Sequence, residues 1–133
     1  MIKLTPSQAL RLANFAYTAR KLVEAEDICR QIINASPDLF DAHYLLAFVQ
    51  LRLGKKIAAL ASYDRALTVQ PDHIEALSNR ANALQEEGRY EEARLSYDRA
   101  LAVQPFSAVT LSNRGTALRK LNRAGDALVS YER

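Results

Sequence analysis

Two asparagines, Asn79 and Asn113, occupy the same place in two copies of one local sequence, SNR. A carboxamide side chain carries hydrogen-bond donors and an acceptor, the combination that holds a peptide backbone whatever its side chains are. The pair has two explanations: the amides form a ladder for an extended peptide, or they bond only to neighbouring helices and water. Both stay open, because Leu45 and Arg11 occupy the two corresponding earlier places.

An aromatic cluster offers a second kind of binding chemistry. Tyr44 and Phe48 are one helical turn apart, and Leu51 follows. Aromatic side chains of this kind dominate the energy of many interfaces when they are exposed. Packing between adjacent helices is the alternative, and we favour it for Leu51. For Phe48 both remain open.

Catalytic and metal-binding patterns are not expected. His43 and His73 are far apart in the sequence, with no Cys or carboxylate at metal-ligand spacing. The glycines are solitary, so the chain carries neither a phosphate loop nor a nucleophile elbow. We therefore predict no catalytic residue, no metal and no cofactor, a structural or solvent-facing role for both histidines, and an inert core thiol at Cys29.

Composition is consistent with a binding module that lacks a strong charge. The 133 residues are 49% hydrophobic, and 18 basic residues against 15 acidic ones leave a net charge of only +3. Such a balance favours neither nucleic acid nor a membrane surface as partner. One cysteine, no leader and no long apolar run lead us to expect a cytoplasmic protein.

The elements that position these residues follow from a fixed period. Pro37, Pro71 and Pro105 are evenly spaced, and ASYDRALTVQP at 61–71 returns as LSYDRALAVQP at 95–105. A period of this length, about 34 residues, indicates stacked copies of one supersecondary unit.

Within each period, apolar residues fall at helical spacing in two blocks. Gly54, Gly88 and Asn122 stand one period apart between the blocks, where a left-handed residue would end a helix, and Arg20 holds that place in the first unit. Asp72 with Glu75, and Thr5 with Gln8, have the capping-box layout. The predicted helices are 6–19, 22–35, 40–53, 56–69, 73–87, 90–103, 108–121 and 124–133.

Three columns of residues predict how the helices pack. Small residues at matched places allow antiparallel helices to approach, and larger residues fill the remaining space. The small columns are Ala13, Ala47, Ala81, Gly115 and Ala25, Ala59, Ala93, Ala127; the third is Cys29, Tyr63, Tyr97, Tyr131. We interpret the tyrosines as core rather than as a recognition stripe. Arg80 and Arg114 are expected to cover the core with their stems and to reach water or a glutamate on the next helix.

The period, the small columns, the turn glycine, the tyrosine and the closing proline resemble the tetratricopeptide repeat (TPR) family. The resemblance implies an all-α fold, a right-handed α-solenoid of antiparallel helix pairs with about four repeats, the last incomplete. It implies one domain over residues 1–133, with repeats at about 6–39, 40–73, 74–107 and 108–133.

The resemblance also implies a concave groove lined by the first helix of each pair. The groove residues that we predict are Asn14, Tyr17, Tyr44, Phe48, Ser78, Asn79, Asn82, Asn113 and Thr116. The asparagine spacing is similar to the ladder of O-linked N-acetylglucosamine transferases. The two-carboxylate clamp of chaperone-binding TPR domains is not expected, because Leu10, Leu45 and Ser78 stand at places where it needs cationic or amide residues.

The function implied by this resemblance is that of a scaffold that binds a peptide or an extended protein segment. The alternative is the substrate-recruiting arm of a larger enzyme, such as a glycosyltransferase. The fourth unit is incomplete at Arg133, and solenoid ends need a polar cap. We therefore expect either a longer native chain or self-association through the C-terminal end.

Overall fold

The computed structural model describes residues 4–132, with side chains described as far as residue 123. In that part of the chain every regular element is an α-helix, as the periodicity predicts. The helices are α1 (Pro6–Thr18), α2 (Leu22–Ala35), α3 (Phe40–Arg52), α4 (Lys56–Val69), α5 (Ile74–Glu86), α6 (Tyr90–Val103) and α7 (Ala108–Glu132).

The chain divides into two compact units, Met1–Pro71 and Asp72–Arg133. In unit 1, α1 packs on α2, α2 on α3, and α3 on α4, while α1 also meets α3. In unit 2, α5 packs on α6 and α6 on α7, while α5 also meets α7. Short turns make consecutive helices antiparallel neighbours. Each unit therefore places its first helices, α1 with α3 or α5 with α7, side by side.

The predicted glycine turns are present at two of the three places. Gly54 and Gly88 have φ of +79° and +76°, and each follows the C-cap residue of a first helix, Leu53 or Glu87. The amides of Lys55 and Arg89 then reach back to carbonyls five residues earlier, at 2.8 and 2.9 Å, which closes a Schellman motif. Arg20 takes φ +62° at the equivalent place, so the first pair turns in the same way without a glycine.

The prediction of two helices after residue 107 was wrong. α7 is a single helix of 25 residues that continues through Asn122, whereas the other helices have 13 or 14 residues. Asparagine destabilises a helix interior only modestly, and a positive φ is less favourable for asparagine than for glycine. The side chains of the predicted eighth helix, 124–133, lie outside the described residues, and so do Ala127 and Tyr131 of the predicted packing columns.

Capping follows the prediction at one helix and departs from it at another. Thr5 and Gln8 form the expected capping box on α1, at 2.8 and 3.2 Å. Asp72 does not cap α5; instead His73 Nδ1 accepts a hydrogen bond from the Ala76 amide at 3.1 Å. An unprotonated ring nitrogen fills the same role as a carboxylate oxygen here, because either satisfies an open amide of the first turn.

The predicted core columns are buried. Ala13, Ala47 and Ala81 have no exposed surface, and neither do their partners Ala25, Ala59 and Ala93. Cys29, Tyr63 and Tyr97 are also completely buried, which confirms the interpretation of that column as core. Leu45, which was placed with the groove residues in the argument for the ladder, instead belongs to the core of unit 1.

Arg80 and Arg114 both contact the second helix α6, and the charge of Arg80 also acts on Glu92 of that helix. Arg80 donates to Ser96 Oγ on α6. Arg114 Nε donates to Asp98 Oδ1 at 2.5 Å, and Asp98 also accepts from Arg94 at 2.8 Å. These contacts hold α6 against α5 and α7 within unit 2, so both arginines have the structural role that was predicted for them.

Candidate functional site

A polar cavity of about 420 Å³ opens in unit 2 between α5, α6 and α7. Amide, phenol and charged groups form its wall, and among the residues with described side chains no large aliphatic one lines it. The lining residues are Asn82, Gln85, Glu86, Tyr90, Tyr97, Asn113 and Lys120. Two of the predicted site residues, Asn82 and Asn113, therefore lie together on this cavity.

A hydrogen-bond network fixes how Asn82 presents its amide. The Tyr97 hydroxyl donates to Asn82 Oδ1 and lies 3.3 Å from Gln85 Oε1. Asn113 Nδ2 approaches the same Asn82 oxygen at 3.5 Å. Because the oxygen faces two donors, Asn82 Nδ2 is left with two N–H groups that make no bond to the residues the structure describes. Asn82, which lines the cavity, therefore keeps two N–H donors for a further partner.

Burial keeps the Tyr97 phenol protonated. Its ring is completely buried, and desolvation, with a smaller contribution from the Glu86 charge, raises the pKa of Tyr97 to about 12. Both causes disfavour the phenolate. The hydroxyl is therefore a hydrogen-bond donor throughout the physiological pH range, and the orientation of Asn82 does not change with pH there.

The other predicted residues of unit 2 lie on the same first helices. Ser78, Asn79 and Thr116 are each half-buried. The Thr116 hydroxyl donates to the Ser112 carbonyl at 3.3 Å and accepts from Arg119 at 3.1 Å. Bonds within helix α7 therefore use most of the hydrogen-bonding capacity of this hydroxyl.

Unit 1 presents an aromatic cluster at the equivalent place on α1 and α3. Phe48 lies 4.8 Å from Tyr44 in an edge contact and 6.5 Å from Tyr17, measured between ring centroids. All three rings are half-buried. The Arg52 guanidinium stands over the Tyr17 ring at 5.7 Å, a cation–π distance. Tyr17, Tyr44 and Phe48 are thus brought together with part of each ring accessible.

A cavity of about 320 Å³ adjoins this cluster. Its wall combines Tyr44 and Phe48 with an amide and two opposite charges from Asn14, Arg11 and Asp41. Asn14 Nδ2 donates to the Leu10 carbonyl at 3.0 Å, within its own helix. The Asn14 side chain therefore turns its oxygen, an acceptor, outward.

The remaining reactive groups have structural surroundings. His43 is 4% exposed, and its Nε2 lies 2.6 Å from the Pro37 carbonyl, to which it donates. Burial, with a smaller effect of Glu26, raises the pKa of the Cys29 thiol to about 11. Among the described residues, no group of three His, Cys, Asp or Glu side chains could hold a metal. No helix described here is long and apolar enough to cross a membrane.

Sequence reasoning missed the part that Tyr97 plays in the site. Tyr97 was assigned to the core, which is correct for its ring but omits its hydroxyl. Tyr90, Glu86 and Lys120 were also not predicted to share a cavity with Asn82. The repeat could have predicted this contact. Asn82 and Tyr97 stand one period after Phe48 and Tyr63, whose rings contact each other in unit 1.

The segments that match known families have the same length as the sequence repeat. The sequence models of the tetratricopeptide repeat match residues 40–73 and 74–107, which together make up half of the chain. The chain belongs to the tetratricopeptide repeat family. The comparison with curated proteins found no match.

Solved structures show the same TPR fold. The first TPR domain of Spaghetti (RPAP3), bound to the HSP90 peptide SRMEEVD, is 22% identical with a TM-score of 0.80, over 92% of this chain and 99% of that one. MamA is 15% identical with a TM-score of 0.83, over 96% and 70%. The Yersinia enterocolitica secretion chaperone SycD, in complex with a peptide of the translocator YopD, is 16% identical with a TM-score of 0.79, over 86% and 92%.

Proposed function

We propose that this chain is a protein-interaction scaffold that binds a peptide or an extended protein segment on the first helices of its repeats. The observation that carries the proposal is the position of Asn82, which lines the cavity while its Oδ1 accepts from Tyr97 and Asn113, so that its two Nδ2 protons remain for a ligand. A polar group held in one orientation at an open cavity is suited to bind a ligand, because little ordering remains to be done on binding.

The chemistry of the unit 2 cavity fits a peptide backbone. Asn82 offers donors to a carbonyl oxygen, and Gln85 and Asn113 add further amide groups around it. Amides recognise a backbone whatever side chain it carries. Lys120 and Glu86 stand at the same cavity with opposite charges, so the site adds no net charge preference of its own.

The aromatic cluster of unit 1 supplies a different contact. Phe48 makes a T-shaped contact with Tyr44 and a tilted one with Tyr17, and all three rings keep accessible surface. Rigid aromatic rings contribute large apolar contact area at low entropic cost, and they anchor apolar side chains of a partner. We assign side-chain selection to this cluster and backbone binding to Asn82 and Asn113.

Two TPR structures with the same fold hold peptides, from HSP90 and from YopD respectively. At 22% and 16% identity they support the general mode of binding and do not identify the ligand of this chain. No specific observation favours the alternative of a substrate-recruiting arm of an enzyme.

Selection of peptides from a random display library on the intact chain tests the proposal. A selected peptide is titrated into the isotopically labelled protein, and backbone amide shifts are followed by nuclear magnetic resonance. We expect the shifts to concentrate on α1, α3, α5 and α7. Shifts confined to the outer faces of α2, α4 and α6 would contradict the proposal, and so would a failure to select any peptide.

A further inference from the structure

The cavity of unit 1 combines an apolar lining with polar groups. Leu45 belongs to the core of the unit, and Leu10 packs against that core from α1. Tyr44 and Phe48 add aromatic surface to the same cavity. Its volume of about 320 Å³ lies at the lower end of the range for ligand pockets, about 300–1,000 Å³. The cavity therefore suits one long side chain of a bound segment.

Neighbouring rings hold the aromatic part of this cavity in place. Phe40 stacks on Tyr44 at 5.3 Å, and Tyr63 lies 6.2 Å from both Tyr44 and Phe48, measured between ring centroids. The Tyr63 ring is itself completely buried. The rings of Tyr44 and Phe48 are therefore fixed before a ligand arrives, so binding has little of the protein left to order.

Two side chains bring oxygen acceptors to the cavity. Asp41 lines it from the first turn of α3, and its carboxylate makes no hydrogen bond or ion pair within the part of the chain whose side chains are described. Asn14 uses its Nδ2 on the Leu10 carbonyl at 3.0 Å, so its Oδ1 remains as an acceptor. A carboxylate and an amide oxygen accept hydrogen bonds and donate none. Both therefore suit a ligand group that is rich in N–H donors.

The aromatic cluster already holds one guanidinium. The Arg52 guanidinium lies 5.7 Å from the centroid of the Tyr17 ring, and that ring is 6.5 Å from Phe48. Cations are attracted to such rings because the ring quadrupole makes their faces negative. Tyr44 and Phe48 bring two more rings of this cluster to the cavity itself. The lining of the cavity is thus of a kind that attracts positive charge.

Arg11 also lines the cavity, and its positive charge opposes a cation. Arg11 and Asp41 are both exposed, so water and salt weaken both charges. Being opposite in sign, the two charges leave little net preference between them. The uncharged groups then decide the sign of the ligand. The Asn14 oxygen and the negative ring faces favour a positive group and disfavour a carboxylate.

We propose that the unit 1 cavity binds a basic side chain of the peptide, with arginine preferred to lysine. The aliphatic stem packs on the rings of Tyr44 and Phe48, and the cationic head bonds to Asp41 and to Asn14 Oδ1. Arginine is preferred because its planar guanidinium both stacks on an aromatic ring and pairs with a carboxylate through two N–H groups. The inference rests on the proposed function, since the side chain belongs to the segment that the first helices bind.

Sequencing of the peptides that are selected on the intact chain from the random library gives the first test. We expect arginine, and less often lysine, to recur at one position of the aligned peptides. Peptides that have no basic residue in common, or an acidic one instead, would overturn this inference and leave the proposed function standing. A selection that yields no peptide would overturn both.

Asp41→Asn removes the negative charge at the cavity and keeps the size of the side chain. In calorimetric titrations it should weaken the binding of a selected peptide about threefold to tenfold. The same peptide with glutamine in place of its arginine should bind the wild type and Asp41→Asn equally. Glu24→Gln is the matched control, because Glu24 is likewise an exposed acid in the first turn of its helix but does not line the cavity. It should bind the arginine peptide like the wild type.

Arg11→Gln removes the opposing charge and should strengthen binding of the arginine peptide about twofold to threefold. Circular dichroism checks that each variant keeps the helix content of the wild type. An Asp41→Asn loss of equal size for the arginine and glutamine peptides would overturn the inference, and so would weaker binding of the arginine peptide to Arg11→Gln. The two variants remove opposite charges, so either one decides the inference if the other fails to fold.

Discussion

The Tyr97 hydroxyl donates to Asn82 Oδ1 at the place where, one repeat earlier, the rings of Tyr63 and Phe48 lie 6.2 Å apart. The second helix keeps its tyrosine in both repeats, while the facing residue on the first helix changes from aromatic to amide. One packing geometry thereby presents an apolar surface in unit 1 and a pair of donors in unit 2. The buried tyrosine supports both.

Tyr97→Phe should separate packing from orientation in unit 2. The ring stays buried, but Asn82 loses the donor that fixes its amide, so peptide affinity should fall by about 1–2 kcal/mol, or roughly tenfold. Isothermal titration calorimetry with a selected peptide measures the change. Tyr63→Phe is the matched control, because its facing residue Phe48 has no acceptor, and it should leave the unit 2 contacts unchanged. Equal affinity losses in both variants would contradict the orienting role of Tyr97.

Phe48→Ala should remove the anchor of the aromatic cluster. Truncating a central aromatic contact costs about 2 kcal/mol or more of binding energy, and it removes ring contacts to Tyr17 and Tyr44 as well. Fluorescence anisotropy of a labelled peptide gives the affinity, and thermal unfolding gives the accompanying loss of stability. Ile57→Ala, at an 80% exposed position of α4, is the control and should change neither quantity appreciably. Unchanged peptide affinity in Phe48→Ala would assign Phe48 to packing alone.

The fold was predictable because its determinants repeat. The prolines and the small columns recur with the period, and the turn glycine stands in two of the units, so every helix through Val103 could be placed within a few residues of its observed bounds. The break at residue 122 was wrong because Asn122 permits a turn without requiring one. Gly54 and Gly88 take a positive φ that most other residues avoid.

The candidate site was only partly predictable. Helical spacing placed Asn82 and Asn113 on first helices, but which atom of each amide faces the cavity depends on Tyr97 in another helix. The cap formed by His73 was missed for a similar reason, since Asp72 offers the more usual capping side chain at the neighbouring position. Periodicity identifies the helix face on which a residue lies. Hydrogen bonds between helices then determine which donor or acceptor atoms of that residue remain for a ligand.

Two glycine substitutions should have opposite effects on stability. Gly88 has φ +76° with open space around it, so Gly88→Ala adds backbone strain of about 1–2 kcal/mol without a steric clash. Gly115 lies inside α7, so Gly115→Ala should stabilise the helix by about 1 kcal/mol. Urea unfolding measures both. A stabilised Gly88→Ala variant would contradict the left-handed turn.

Alkaline pH should destabilise the fold through Cys29. The folded-state pKa of about 11 lies above the usual value of 9.0, so the folded protein retains a proton that the unfolded chain releases between those values. Stability should therefore be constant below about pH 9 and fall as pH rises toward 11. Urea unfolding at pH 8 and pH 10, compared with Cys29→Ala, measures the contribution, which the variant should lack. A thiol that is alkylated rapidly at pH 8 in the native protein would contradict its burial.

Calorimetric titration of one selected peptide into the wild type, Asn82→Ala and Asn34→Ala tests the central claim most directly. Asn82 presents its amide to the unit 2 cavity, whereas Asn34 is an exposed asparagine on the second helix α2. We predict that Asn82→Ala weakens binding about tenfold while Asn34→Ala binds like the wild type, with both variants equally helical. Undiminished binding by Asn82→Ala would contradict the account of the cavity as the peptide site.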